Sequence, residues 1–251
     1  MDQFLHLTNF NTLYFLSDAH FGAPLGVKEE IKRENFCDFG ASIASPDNYL
    51  FILGDLFDFW FEWRKVIPKG SFGILYHLAK WQEMGLKMYY LAGNHDFRLG
   101  GFLEKEIGIS TYMNTLDFTA EDKKFHLFHG DGVQKSDVGY RILKKVFRNP
   151  LNQWLFLALH PDIGIALADW SSSKSRESNL LKNPSKAEND YIEYAEKQIT
   201  GGADYVLMGH THRPLVHRFD KGCYINTGNW YRAFSYAKFE KGELRLEYYK
   251  G

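Results

Sequence analysis

Short runs of apolar, aromatic and β-branched residues recur along the chain and stop at polar, glycine-containing turns. Thr12–Ser17 (TLYFLS), Tyr49–Leu53 (YLFIL), Lys87–Ala92 (KMYYLA), Phe125–His129 (FHLFH) and Asp204–Met208 (DYVLM) each read as a strand. Helix-like stretches, Lys28–Ala44 and Ser71–Met84, separate the first three, and this β-α-β rhythm predicts a partly parallel sheet. The tail differs. Its runs LVHRF, CYINT, FSYAKFE and ELRLEYY are joined at Asp220-Lys221-Gly222 and Lys241-Gly242, which read as hairpin turns, so the C-terminal third is expected to be antiparallel. From Ser136 to about Ala168 the pattern turns helical; a polar stretch, Ser171–Asn179, follows before another helix at Ser185–Ile199. This block offers no strand candidates and reads as a helical insertion over the sheet.

Composition narrows the picture. A length of 251 residues suits one α/β domain with a sizeable core. With 30 basic against 31 acidic residues, no bulk nucleic-acid partner is expected. Cys37 and Cys223 are too few for a disulfide framework or a thiolate zinc site, which fits a reducing compartment. The N-terminus lacks the pattern of a signal peptide, so no export is expected. The longest apolar window, Leu151–Trp170, is broken by His160-Pro161-Asp162, short of the roughly 20 apolar residues of a membrane span. Aromatic residues crowd LFDFWFEW, where Phe57, Phe59, Trp60, Phe61 and Trp63 are too dense for one buried face and fit a thick core or an apolar ligand surface.

Chemistry concentrates at the strand ends. After TLYFLS come Asp18-Ala19-His20; after YLFIL, Gly54-Asp55-Leu56-Phe57-Asp58; after KMYYLA, Gly93-Asn94-His95-Asp96; at the end of FHLFH, His129-Gly130-Asp131; and after DYVLM, Gly209-His210-Thr211-His212. Taken singly, each Asp or Asn reads as a turn or cap residue and each His as structural. Five in succession do not. Ligands bind beyond the carboxyl ends of the strands in open α/β sheets, so these groups are expected to converge. In Asp18-x-His20 and His210-x-His212, positions i and i+2 of an extended segment would share a side. A thiolate-free Asp/His/Asn set suits manganese, iron or zinc. Seven candidate ligands exceed the needs of one ion, so two are expected, with Asp55 as the natural bridging carboxylate. Paired ions about 3.5–4 Å apart lower the pKa of a shared water and clamp the oxygens of an in-line phosphoryl displacement.

The order D-x-H, G-D-x-x-D, G-N-H-D, H-G-D, G-H-T-H resembles the calcineurin-like metallophosphoesterase superfamily. The resemblance implies an α/β sandwich of two mixed β-sheets flanked by helices. It gives one ion to Asp18, His20, Asp55 and His212, and the other to Asp55, Asn94, His129 and His210. It makes His95 a phosphate-binding group that protonates the leaving group, with Asp96 orienting it and Asp58 as a supporting partner or a helix cap.

GDLFDFW, GNHDF, HGD, SDVGYR and FLAL together resemble the UDP-2,3-diacylglucosamine hydrolase family of lipid A biosynthesis, in which a helical cap, here about 136–184, shelters two acyl chains. This implies hydrolysis of an acylated sugar nucleotide at its α-phosphorus to UMP and the diacylglucosamine 1-phosphate. The same resemblance implies two divalent ions, Mn2+ first with Fe2+ or Zn2+ as alternatives, and peripheral residence at the cytoplasmic face of the inner membrane, with no obligate protein partner. Substrate contacts are expected from Asn94, His95, Asp137, Tyr140, Arg141, Ser173, Lys174, Ser175, Arg176 and His210. Leu155, Phe156, Leu159, Ile163, Ile165 and Leu167 would line an acyl groove or pack the core. One departure stands out: many members of the family carry arginine in G-N-R-D where this chain has His95. A soluble nucleotide, phosphodiester or phosphoprotein substrate is the alternative enzymatic reading. A non-catalytic scaffold is the remaining one, and the full ligand set speaks against it.

Overall fold

The computed structural model describes residues 5–136, 139, 141, 144–146, 149–168 and 184–251. Two six-stranded mixed sheets pack face to face. One runs β1 (Leu5–Leu7), β8 (Thr115–Ala120), β9 (Lys123–Phe128), β10 (Tyr205–Met208), β12 (Cys223–Asn226), β11 (Leu215–Arg218). The other runs β14 (Glu243–Tyr248), β13 (Ser235–Glu240), β2 (Thr12–Leu16), β3 (Asn48–Ile52), β5 (Lys87–Leu91), β7 (Ser110–Tyr112). A third pairing joins β4 (Trp60–Phe61) to β6 (Asp96–Arg98).

After their first residues, Thr12 and Asn48, strands β2 and β3 carry apolar and aromatic side chains on both faces because both faces are covered. Leu13, Phe15, Phe51 and Leu53 point into the layer between the sheets, where Phe15, Phe51, Phe118 and Phe125 form a closed cluster of near-parallel rings with neighbouring centroids 4.7–5.9 Å apart. Leu16, Leu50 and Ile52 face the other way, onto helices α1 (Glu29–Ile43) and α2 (Phe72–Glu83) through Phe36, Phe39, Leu78 and Trp81. The helix beginning at Pro184 and ending at Thr200 covers the first sheet through Tyr191 and Ala195.

The tail is not uniformly antiparallel. β11 and β12 do form the expected hairpin, as do β13 and β14, but β12 inserts between β11 and β10 and runs parallel to β10. The hairpin places its second strand inward, and the turn chemistry at Asp220-Lys221-Gly222 carries no information about that choice. β4 and β6, with two and three residues, are too short to show a period.

Helix α3 (Pro150–Ala158) starts on an Asn149 side chain that accepts from the amides of Leu151 and Asn152, with Pro150 in the first turn, and a second helical segment spans 161–168. Phe156, Leu157, Ile165 and Ala168 of these helices pack on Phe59, Phe61, Trp63 and Phe97. The dense aromatic run is thereby divided: Phe57 and Trp60 join the main core, while Phe59, Phe61 and Trp63 seat the helical pair.

Candidate metal centre

Asp18, Asp55 and Asn94 follow the ends of β2, β3 and β5 in one sheet; His129 and His210 follow β9 and β10 in the other. The sandwich therefore brings both rows of strand ends to one edge. Ligand atoms of Asp18, His20 and His212 lie within 4.8 Å of one another, as do those of Asp55, His129 and His210, and a third such group joins His20, Asp55 and His95. His129 Nε2 is 3.0 Å from Asn94 Oδ1, which adds Asn94 to the second group. His210 and His212 fall in different groups, whereas Asp18 and His20 share one.

The i, i+2 pairs do not converge by strand alternation. Asp18, His20, Asp55, His210 and His212 all have positive φ, between 47° and 67°. Left-handed backbone at non-glycine residues is uncommon and costs on the order of 1 kcal/mol or more each, so the surrounding hydrogen bonds must hold it. They do. Asp18 N donates to Gly54 O, His20 N to Asp55 O, and His210 N to Asp18 Oδ2. Two glycines are required by proximity: a Cβ on Gly93 would sit 2.1 Å from Asp55 Oδ1, and one on Gly209 2.4 Å from Asp18 Oδ2.

The donor set fits a cation. His129 Nδ1 donates to Leu53 O at 2.7 Å, so Nε2 is the atom left to bind a cation; it lies 3.0 Å from Asn94 Oδ1, 3.2 Å from His210 Nδ1 and 3.3 Å from Asp55 Oδ2. His212 Nε2 lies 3.1 Å from Asp18 Oδ1 and 3.2 Å from His20 Nε2. Asp18 Oδ1 and Asp55 Oδ2 are buried and accept no hydrogen bond among the described residues. Converging acceptors in a buried site are costly unless positive charge joins them. The titration behaviour agrees. Burial alone would push the His20 and His129 rings down, yet the adjoining carboxylates carry them up to about 9 and about 10. Burial alone would raise Asp18 and Asp55, yet the histidines hold both below the usual carboxylate range.

A calcineurin-like phosphoesterase model matches residues 12–214, a span that takes in every one of these ligands. The chain belongs to the calcineurin-like phosphoesterase family. Among curated relatives, a UDP-2,3-diacylglucosamine hydrolase of Porphyromonas gingivalis is 31% identical over 253 residues, covering 94% of this chain and 96% of that protein. Proteins of the same name from Shewanella putrefaciens and Haemophilus influenzae are 32% and 29% identical and cover 87% and 88% of this chain.

In this phosphoesterase Asp96 does not orient His95. Its Oδ2 accepts from the amides of Asp55 and Gly93 at 3.0 and 2.8 Å, and its Oδ1 from the Tyr90 hydroxyl at 2.7 Å. Asp96 braces the Asp55 loop instead, because both of its carboxylate oxygens are taken up by these two amides and the hydroxyl. Burial and the neighbouring Asp55 carboxylate raise it to about 6. The His95 ring is held by Asp58: Nδ1 donates to Asp58 O at 2.6 Å, and Asp58 Oδ1 stands 3.6 Å from His20 Nδ1. Asp58 therefore touches both histidines.

Asp137, Tyr140, Ser173, Lys174, Ser175 and Arg176 lie outside the described residues. The Arg141 guanidinium donates to the carbonyls of Gln134 and Lys135. Of the six apolar residues expected at a groove or core, Phe156 and Ile165 pack inward, while Leu155, Leu159, Ile163 and Leu167 are exposed.

Sequence reading missed Lys32. Fully buried on α1, it donates to His20 O and Ala23 O at 3.2 and 3.0 Å and pairs with Glu29 at 2.7 Å, fixing the loop that follows His20. A lysine in the first turn of a helix carries no sequence mark of such a role. Tyr231 was missed too; it meets His212 across 19 positions of chain.

Proposed function

We propose that this phosphoesterase hydrolyses the pyrophosphate bond of UDP-2,3-diacylglucosamine to UMP and 2,3-diacylglucosamine 1-phosphate, a step of lipid A biosynthesis. The observation that carries the reading is an end-to-end match to hydrolases of that name in a chain that also holds the paired carboxylate and imidazole groups. Asp18, His20, Asp55 and His212 would hold one divalent ion, and Asp55, Asn94, His129 and His210 the other. Mn2+ is the first choice, since an O/N set without thiolates suits it. Once bound, the ions supply an activated water and charge screening for the phosphates.

The chain's own groups do the rest. Asp96 and Gly93 fix the loop that aims Asp55. Asp58 O accepts the His95 Nδ1 proton, so the other ring nitrogen donates to a phosphate oxygen only as an imidazolium, the form that an incoming phosphate favours. The departing sugar 1-phosphate is a monoester whose second pKa is about 6, so near neutral pH it leaves without needing a full proton. His95 is thus a phosphate-holding group first and a proton donor second.

The segment 136–184 acts as the cap. Leu151, Trp154, Leu155, Ile163 and Leu167 give it an outward apolar face, and no helix among the described residues is long and apolar enough to cross a membrane. Peripheral contact with the cytoplasmic face of the inner membrane through that face is part of the proposal.

Phosphorus NMR in oxygen-18 water tests it, using Mn2+-loaded protein with the diacylated substrate, UDP-glucosamine and a soluble phosphodiester. The expected result is UMP carrying the isotope, from the acylated compound only. Turnover of the soluble esters instead would reassign the cap to another substrate.

A further inference from the structure

The loop after β12 threads the metal centre. Trp230 N donates to Asp18 O at 3.1 Å and Asn229 Nδ2 to His212 O at 2.8 Å, so consecutive residues hold the backbone of two ligands. The next residue reaches a ligand's ring: the Tyr231 hydroxyl lies 2.9 Å from His212 Nδ1, and its ring stands edge-on to those of His212 and His20. Tyr231 is itself pinned, because Val27 N donates to its carbonyl at 3.0 Å. Gly26 lets the two segments close, since a Cβ there would sit 1.8 Å from Tyr231 O.

A neutral imidazole has one N–H and one lone pair. His212 Nε2 faces Asp18 Oδ1 and His20 Nε2, so it can serve as a ligand only if the proton sits on Nδ1. At Nδ1 the partner is the Tyr231 hydroxyl, whose oxygen accepts that proton. We propose that Tyr231 is a positioning residue for the ion held with His212: its hydroxyl accepts the Nδ1 proton and leaves Nε2 as the ligand atom. Such partners typically change metal affinity 10–100-fold. His129 has the equivalent arrangement with Leu53 O, but a backbone carbonyl cannot be removed by substitution, whereas Tyr231→Phe deletes the acceptor and keeps the ring.

The inference rests on the two-ion centre, and the experiment separates the two. Chelator-stripped wild type and Tyr231→Phe are titrated with Mn2+ by calorimetry and electron paramagnetic resonance, with metal-free melting temperatures alongside. Wild type is expected to take up two ions. Tyr231→Phe is expected to bind one as before and the other about 10–100-fold more weakly, at a metal-free melting temperature close to wild type. Nitrogen-15 spectra of Zn2+-loaded wild type should show His212 protonated at Nδ1 and metal-shifted at Nε2, a readout that needs no variant. Equal affinities in both proteins, or an unprotonated Nδ1, would overturn the role of Tyr231. A wild type that binds no divalent ion would remove the metal reading itself.

Discussion

Protons and ions compete for the same atoms in this centre. With no ion bound, the adjoining carboxylates carry the ring of His20 up to about 9 and that of His129 up to about 10, which favours the protonated form of both at pH 7. A ligand nitrogen must be bare. Loading therefore displaces these protons, and each one displaced makes affinity rise up to about tenfold per pH unit until pH passes the raised value. Calorimetry of Mn2+ binding at pH 7, repeated in buffers of different ionisation enthalpy, is expected to show release of about two protons. Uptake independent of buffer would mean that the carboxylates do not hold these rings protonated in the metal-free protein. At this scale the sequence was legible in kind and not in detail. Asp18, His20, Asp55, Asn94, His129, His210 and His212 all marked themselves by following apolar runs. Their left-handed backbone did not, because neither Asp nor His advertises a positive φ as glycine does. Nor did the partner of Asp96, which three-dimensional proximity alone decides.

The helical pair at 150–158 and 161–168 is amphipathic in an unusual sense, with apolar residues on both sides. Phe156, Leu157 and Ile165 seat it on Phe59, Phe61 and Trp63, while Trp154 and Ile163 are 56% and 54% exposed. An inward stripe was legible as helix; which residues face outward depends on the surface beneath, and a short apolar run does not report that. If the outer face engages acyl chains or bilayer, removing it should alter binding and spare chemistry. Burying such a side chain is worth about 1.5–3 kcal/mol. Trp154→Ser with Ile163→Ser is expected to raise KM for vesicle-borne substrate about tenfold or more, with hydrolysis of a water-soluble ester changed less than twofold. Melting temperature should hold, since neither side chain is in the core. Equal loss on both substrates would assign the face to folding instead.

The two sheets meet through a layer of stacked phenylalanines at their centre and through shared ligands at one edge. Asp18, Asp55 and Asn94 belong to one sheet, His129 and His210 to the other, so bound ions would cross-link the sandwich where aromatic packing gives way to charge. Strands β2, β3, β5, β9 and β10 and the two C-terminal hairpins were readable from their apolar runs, whereas β1, β4, β6, β7 and β8 were not, nor was the order β1-β8-β9-β10-β12-β11, because pairing partners are chosen by the whole packed layer. That architecture has a thermodynamic consequence. An ion that binds only the folded chain adds about 2.7 kcal/mol when present at 100 times its dissociation constant, and a second ion at the same ratio to its own constant brings the sum to about 5 kcal/mol. In a protein of this size each kcal/mol moves the midpoint about 2–4 °C. Chelation should therefore lower the melting temperature by roughly 10–20 °C. The loss should also be local before it is global: amide exchange is expected to accelerate first at the strand ends near Asp18, Asp55 and His210, while β2, β3 and β9 stay protected by the phenylalanine cluster. Exchange that quickens uniformly, or a midpoint indifferent to chelator, would mean that the ions contribute nothing to holding the sheets together.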